Sequence, residues 1–207
     1  MKIEYFLIIL SFLFLGCSNK QVKKQENTNR IIAVKDTLQQ NFQSIDLESE
    51  ENSICFDTLK IVSGNCKVLY YPFGIYNNME EFLGFLPKEV SVKKQIKMNG
   101  TETSYIKYKN NYIEVLVGDD YCEKNSFVVN IVSAEIKDET IEIMNCIKIG
   151  ITKQSFIKKL KLDKIDNLNK INVIEIISVL DGIWQYYTFD ANGTLKIIEI
   201  KSDYMFE

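Results

Sequence analysis

The chain has 207 residues, no histidine, and 25 basic against 28 acidic residues, for a formal charge of -3. Without histidine it lacks the usual general base, the commonest transition-metal ligand and the side chain that titrates near neutral pH, so histidine-triad hydrolysis is excluded and zinc hydrolysis nearly so. The small net charge and the single arginine, Arg30, argue against nucleic acid and against bidentate phosphate clamps in the folded part.

The first seventeen residues are the most specific stretch. Lys2 precedes an apolar run from Ile3 to Leu15, closed by Gly16-Cys17. About 13 apolar residues are too few for a membrane span, which takes roughly 20. A small residue directly before a cysteine resembles the signal of bacterial lipoproteins, whose cysteine thiol carries diacylglycerol after cleavage. The resemblance implies a signal peptide over 1–16, lipidation of Cys17 and a place in the cell envelope, on the outer membrane of a Gram-negative bacterium. Residues 17–50 then read as lipidated cysteine and tether. Ser18 to Arg30 is polar with little to bury, residues 31–47 have the scattered apolar positions of one weak amphipathic helix, and Glu48 to Ser53 is acidic and exposed.

The remainder reads as an α+β fold in two units, 51–136 and 137–207, each a short helix packed on antiparallel sheet. Phe56–Val62 and Cys66–Tyr70 alternate as strands around Ser63-Gly64-Asn65. A short helix follows over 77–86, with Asn77 or Asn78 as its cap and Met79, Phe82, Leu83 and Leu86 on one face. Strands over 90–98, 103–109 and 112–117 are separated by the turn signals Asn99-Gly100 and Asn110-Asn111. The pattern then predicts a hairpin of 127–136 with 140–147, a helix over 153–160 capped by Thr152, and strands over 171–180, 183–189 and 195–201. Aligning Asn65-Cys66-Lys67-Val68 with Thr140-Ile141-Glu142-Ile143 suggests duplication of the unit.

Four cysteines follow Cys17: Cys55, Cys66, Cys122 and Cys146. An even number in an exported chain predicts two disulfides, with Cys55–Cys66 and Cys122–Cys146 preferred because each closes a short loop. They are not arranged as two close pairs, so no metal site is expected, nor any cofactor.

The stretch IKIGITKQSFIKKL, followed by strands ending YYTFDANGTLKIIEI, resembles the helix-then-meander unit of outer-membrane-assembly lipoproteins of the SmpA/OmlA kind and of the β-lactamase-inhibitor protein family. Gly150, Ile151, Thr152, Phe156, Tyr187, Phe189, Asn192 and Gly193 carry the match. The resemblance implies binding or assembly and no catalysis.

Asp119-Asp120 could suggest paired carboxylates, but adjacent side chains on an extended chain diverge, and a solvated turn is the better reading. Asp181-Gly182 and Asp190 with Asn192-Gly193 are also turn chemistry. Aromatic residues are stronger candidates. Tyr105, Tyr108 and Tyr112 surround one hairpin, while on the strand IWQYYTF Trp184 and Tyr186 share one face and Tyr187 and Phe189 the other. One face must meet the helices, leaving the other for a protein or glycan. Lys153, Lys158, Lys159 and Lys161, with Lys164 beyond, offer a basic helix face for lipid headgroups or an acidic partner. The expected function is a lipid-anchored, non-enzymatic binding or envelope-assembly protein. A carboxylate glycan hydrolase and a purely structural envelope component are the alternatives.

Overall fold

The structure is a computed structural model and describes residues 49–120, 126–162, 165, 167–178 and 182–203. The signal segment, Cys17, the tether with its weak helix, Cys122, Lys164 and Asp181 lie outside the described residues. The described residues belong to one compact unit.

The architecture is α+β and dominated by sheet. Nine strands, β1 (Ser49–Cys55), β2 (Thr58–Ser63), β3 (Ser91–Ile96), β4 (Glu102–Tyr108), β5 (Asn111–Asp119), β6 (Phe127–Ile136), β7 (Val173–Ser178), β8 (Ile183–Phe189) and β9 (Leu195–Ser202), make one sheet in the order β1-β2-β7-β8-β9-β6-β5-β4-β3. Every pairing is antiparallel except β2 with β7, which run parallel. Among the described residues, three short α-helices accompany the sheet: α1 (Cys66–Tyr70), α2 (Met79–Phe85) and α3 (Lys153–Lys159).

Period-two alternation sets the core. Leu59 and Ile61 on β2, Ile174 and Ile176 on β7, Ile183 and Tyr187 on β8, and Ile198 and Ile200 on β9 are all buried, with Ala134, Ile136, Ile113 and Ile106 continuing the same face. Phe156 of α3 seals this face, its ring 4.5 Å from that of Tyr187 and 5.5 Å from that of Phe189. Gln185, fully buried among apolar neighbours, reaches α1 there: Nε2 donates to the carbonyls of Val68 (3.0 Å) and Leu69 (2.9 Å). Carbonyls of a helix's last turn have no partner within the helix, so this one amide satisfies two groups that burial would otherwise penalise. Tyr187 completes the arrangement, donating its hydroxyl to Gln185 Oε1 at 2.6 Å.

The helix starts follow capping chemistry. Thr152 accepts from the Ser155 amide (3.2 Å), and Asn78 from the Glu81 amide (3.0 Å), while Glu81 returns a carboxylate to the Asn77 amide (3.1 Å). The start of α3 is also stitched to the β8–β9 turn, by Lys153 N–H to the Gly193 carbonyl (2.7 Å) and Leu195 N–H to the Ile151 carbonyl (2.9 Å). Gly193 holds φ at 73°, a left-handed value natural to glycine in this turn.

Four expectations are corrected. Cys66–Tyr70 is a helix, because Asn65 caps it through the Val68 amide and Val68, Leu69 and Tyr70 are all buried, a pattern no half-exposed strand could give. Residues 140–147 are not a strand; they hold an isolated bridge, Ile143 to Ile147, around a single 3-10 turn. The two segments aligned as a repeat therefore differ in conformation, and the sheet runs unbroken across the 136/137 boundary through β6–β9 pairing. Ser49 and Glu50, expected as the end of the tether, open edge strand β1 (Ser49–Cys55).

Cys55 and Cys146 are free and exposed, and Cys122 lies outside the described residues. Cys55 pairs with Thr58 at one end of β2, whereas Cys66 follows Ser63 at the other. Five residue rises of about 3.4 Å place those ends roughly 17 Å apart, and a disulfide joins Cα atoms no more than about 7 Å apart. Proximity in sequence was misleading because an intervening strand is straight.

Candidate binding face

The side of the sheet turned away from α1 and α3 carries two rows of in-register side chains. One row runs Lys60, Glu175, Tyr186, Glu199, Glu135, Tyr112, Lys107 from β2 to β4. The next runs Val62, Ile177, Trp184, Lys201, Ser133, Glu114, Tyr105, Lys93 from β2 to β3. Trp184, Tyr186, Tyr105 and Tyr112 are half-buried, so each ring keeps a solvent-facing part.

Tyr105 and Tyr112 stack, with centroids 5.6 Å apart and planes inclined by 16°. Lys201 Nζ lies 5.2 Å from the Tyr186 ring centroid and 3.7 Å from the Glu199 carboxylate. Glu135 pairs with Lys137 at 2.7 Å. Glu114, the most buried of these acids, meets Lys97 at 2.5 Å and accepts from Thr103 Oγ1 (2.9 Å) and Ser133 Oγ (3.4 Å). Burial raises the Tyr112 phenol above its ordinary value, assisted chiefly by the Glu135 charge. Burial does the same at Tyr186, with Glu175 next in effect. Both phenols thus stay neutral hydrogen-bond donors well into the alkaline range.

The structure distributes the sequence candidates unequally. Trp184, Tyr186 and Tyr105 fall on this face, joined by Tyr112. Tyr187 does not: it is 0 % exposed beneath α3, and its hydroxyl is committed to Gln185. Tyr108 shares the helix-side parity of Ser104 and Ile106, opposite to Tyr105, and sits with Lys109 Nζ 5.0 Å from its ring. Lys158 and Lys159 are on α3, across the sheet from the rings, with Lys158 and Lys161 exposed. Lys153 leaves the expected basic face altogether; it is buried, donates to the Leu168 carbonyl (3.3 Å) and lies 5.7 Å from the Phe189 ring.

Asp120 is also more than a solvated turn. Its carboxylate accepts from the Tyr71 hydroxyl and from Ser126 Oγ (3.1 Å), tying the base of the β5–β6 connection to the core. The carboxylates and Lys201 of the open face escaped the sequence reading. The alternation of LKIIEIKS signals that Glu199 and Lys201 share a face, but only register shows that this face is the one bearing Trp184. Among the described residues, no group of three or more Cys, Asp or Glu side chains could hold a metal ion, and no helix is long and apolar enough to cross a membrane.

Fold and face together define a class: an α+β domain with one side of its sheet sealed by helices and the other bearing rings and charge pairs. Compared with known proteins, the chain matches no family model, no curated protein and no solved structure.

Proposed function

We propose that this protein is a lipid-anchored, extracytoplasmic binding or envelope-assembly accessory protein, and that it meets its ligand with the ring-bearing face of the sheet. One observation carries the reading. Alternation on β8 commits Tyr187 and Phe189 to α3 and leaves Trp184 and Tyr186 on the other side, in register with Tyr105 and Tyr112. Half-exposed aromatic side chains supply contact area at little cost in rotamer entropy, which is why they dominate binding energetics. The anchor at Cys17 and the envelope address rest on the signal-like sequence alone.

A carboxylate glycan hydrolase is the second reading, because Glu135 and Glu199 stand directly opposite on β6 and β9. Each, however, has a lysine within 4 Å. A general acid needs a carboxyl kept protonated, and a neighbouring ammonium opposes that. Binding is therefore the preferred reading.

A photoreactive phenylalanine analogue at position 186 tests it in the intact envelope. The substituted protein is expected to cross-link to an envelope component, whereas the same analogue at Lys158 on α3 is not. Cross-linking from 158 only, or from neither position, overturns the assignment of the face. Mass spectrometry of the purified protein is expected to show an acylated Cys17; an unmodified residue overturns the anchor.

A further inference from the structure

We propose that the ring-bearing face binds an extended, uncharged glycan chain laid across the strands. The inference rests on the reading of this face as the contact surface and adds the chemistry of what it contacts.

Charge comes first. The two rows contain four carboxylates (Glu114, Glu135, Glu175, Glu199) and four ammonium groups (Lys60, Lys93, Lys107, Lys201). Glu114, Glu135 and Glu199 each have a lysine within 4 Å. With Lys97 and Lys137, the partners of Glu114 and Glu135, the face carries six ammonium groups against four carboxylates, and three of those carboxylates are ion-paired, so most of its charge is met locally while it stays dense in hydrogen-bonding groups. Its complement is a polar ligand without a strong charge of its own.

Backbone saturation narrows the choice further. Where they carry these rows, strands β5 to β9 are interior to the sheet and pair on both sides, so their main-chain groups there are spent in the ladders. An extended peptide adds to a sheet through main-chain hydrogen bonds at a free edge, which these interior strands lack. A sugar chain needs no backbone partner. Its hydroxyls can be met by the carboxylates, by Lys201 and by Ser133, and its C–H faces by aromatic rings.

The rings also have a spacing. Trp184 and Tyr186 stand on β8, and Tyr112 stands three strands away on β5, stacked with Tyr105 of β4. Three inter-strand steps of about 4.8 Å separate the two ring pairs by roughly 14 Å. Between them lie Lys201, Glu199, Ser133, Glu135 and Glu114. The pattern is an apolar platform at each end with a polar floor between, and one ligand engages both platforms only if it is elongated and runs perpendicular to the strands.

Affinity electrophoresis of the full-length, detergent-solubilised mature protein tests this, with soluble mannan, dextran, xyloglucan and galactomannan in the gel and dextran sulfate and hyaluronate as charged controls. At least one neutral polysaccharide is expected to retard the protein more than either polyanion does. Trp184→Ala and Tyr112→Ala are each expected to weaken that binding about tenfold or more, with Lys158→Ala close to wild type. Circular dichroism confirms that the variants are folded, and Trp184→Phe retains a ring should the alanine variant fail. Oligosaccharides of the retained polymer too short to reach both platforms are expected to bind about tenfold more weakly and to depend on only one ring pair. Retardation by no neutral polysaccharide, or equal retardation of the Trp184→Ala variant, overturns the glycan assignment. If position 186 nonetheless cross-links to a protein, the contact face stands and only the ligand class falls.

Discussion

Tyr187 and Gln185 sit at the centre of the core, and their chemistry has a consequence in alkaline solution. Burial raises the phenol of Tyr187 above the ordinary value of 10.0, and the same cause raises Tyr76, whose hydroxyl donates to the Phe73 carbonyl at 3.0 Å. A phenol with a raised folded-state pKa gives up its proton more easily in the unfolded chain. The stabilisation is therefore complete below pH 10 and is lost as pH climbs through the folded-state value. Lys153 acts in the opposite sense. Burial lowers its pKa below 10.5, so its contribution to stability rises with pH up to that value. Urea unfolding measured across this range is expected to show a falling midpoint above pH 10, shallower in Tyr187→Phe than in wild type. Identical slopes for the two proteins would remove Tyr187 from the account. The alternation that placed Tyr187 opposite Trp184 and Tyr186 was legible in IWQYYTF, because strand period fixes parity. Which parity is buried was not legible, since Gln185 is polar and yet faces the helices.

At the level of elements, local chemistry was readable wherever a side chain closes its own backbone. Thr152 and Asn78 announce helix starts, and the glycines at 100 and 193 announce turns with φ of 84° and 73°. Elements defined by distant partners were not readable. β1 is polar (SEENSIC) and exists through its pairing with β2, and α1 is five residues long, too short for a helical period to show. The same distinction governs what α3 tolerates. Thr152→Ala removes the acceptor of the Ser155 amide and is expected to cost about 1 kcal/mol in chemical denaturation, with Thr152→Ser close to wild type. A helix held by its cap alone would lose more of its structure than this. α3 is held also by Phe156 against Tyr187 and Phe189 and by the Lys153-to-Gly193 backbone bond, so its amides near residue 156 are expected to keep their exchange protection in the Thr152→Ala variant.

The described residues build a single sheet whose order depends on pairings between segments far apart in the chain. β2 lies beside β7, which is more than a hundred residues later, and β6 reaches β9 across the 3-10 turn and α3. Neither pairing could be read from periodicity, which reports the face of a strand but not its neighbour. The candidate site depends on them: Trp184 and Tyr186 come from after the 136/137 boundary, Tyr105 and Tyr112 from before it, and β6–β9 pairing brings the two sets into common rows. Dividing the chain at 136/137 should therefore dismantle fold and face together. A fragment 137–207 would hold β7-β8-β9 with both edges unpaired and with Gln185 deprived of the Val68 and Leu69 carbonyls it bonds in α1. A buried polar group left without partners and a three-stranded sheet stripped of part of its helical cover are each costly. Neither fragment 49–136 nor fragment 137–207 is expected to give dispersed amide resonances alone, while an equimolar mixture regains them through β2–β7 and β6–β9 pairing. A dispersed spectrum from fragment 137–207 by itself would mean that the second half carries its own core, and that the rows of the open face are assembled from two domains and not from one sheet.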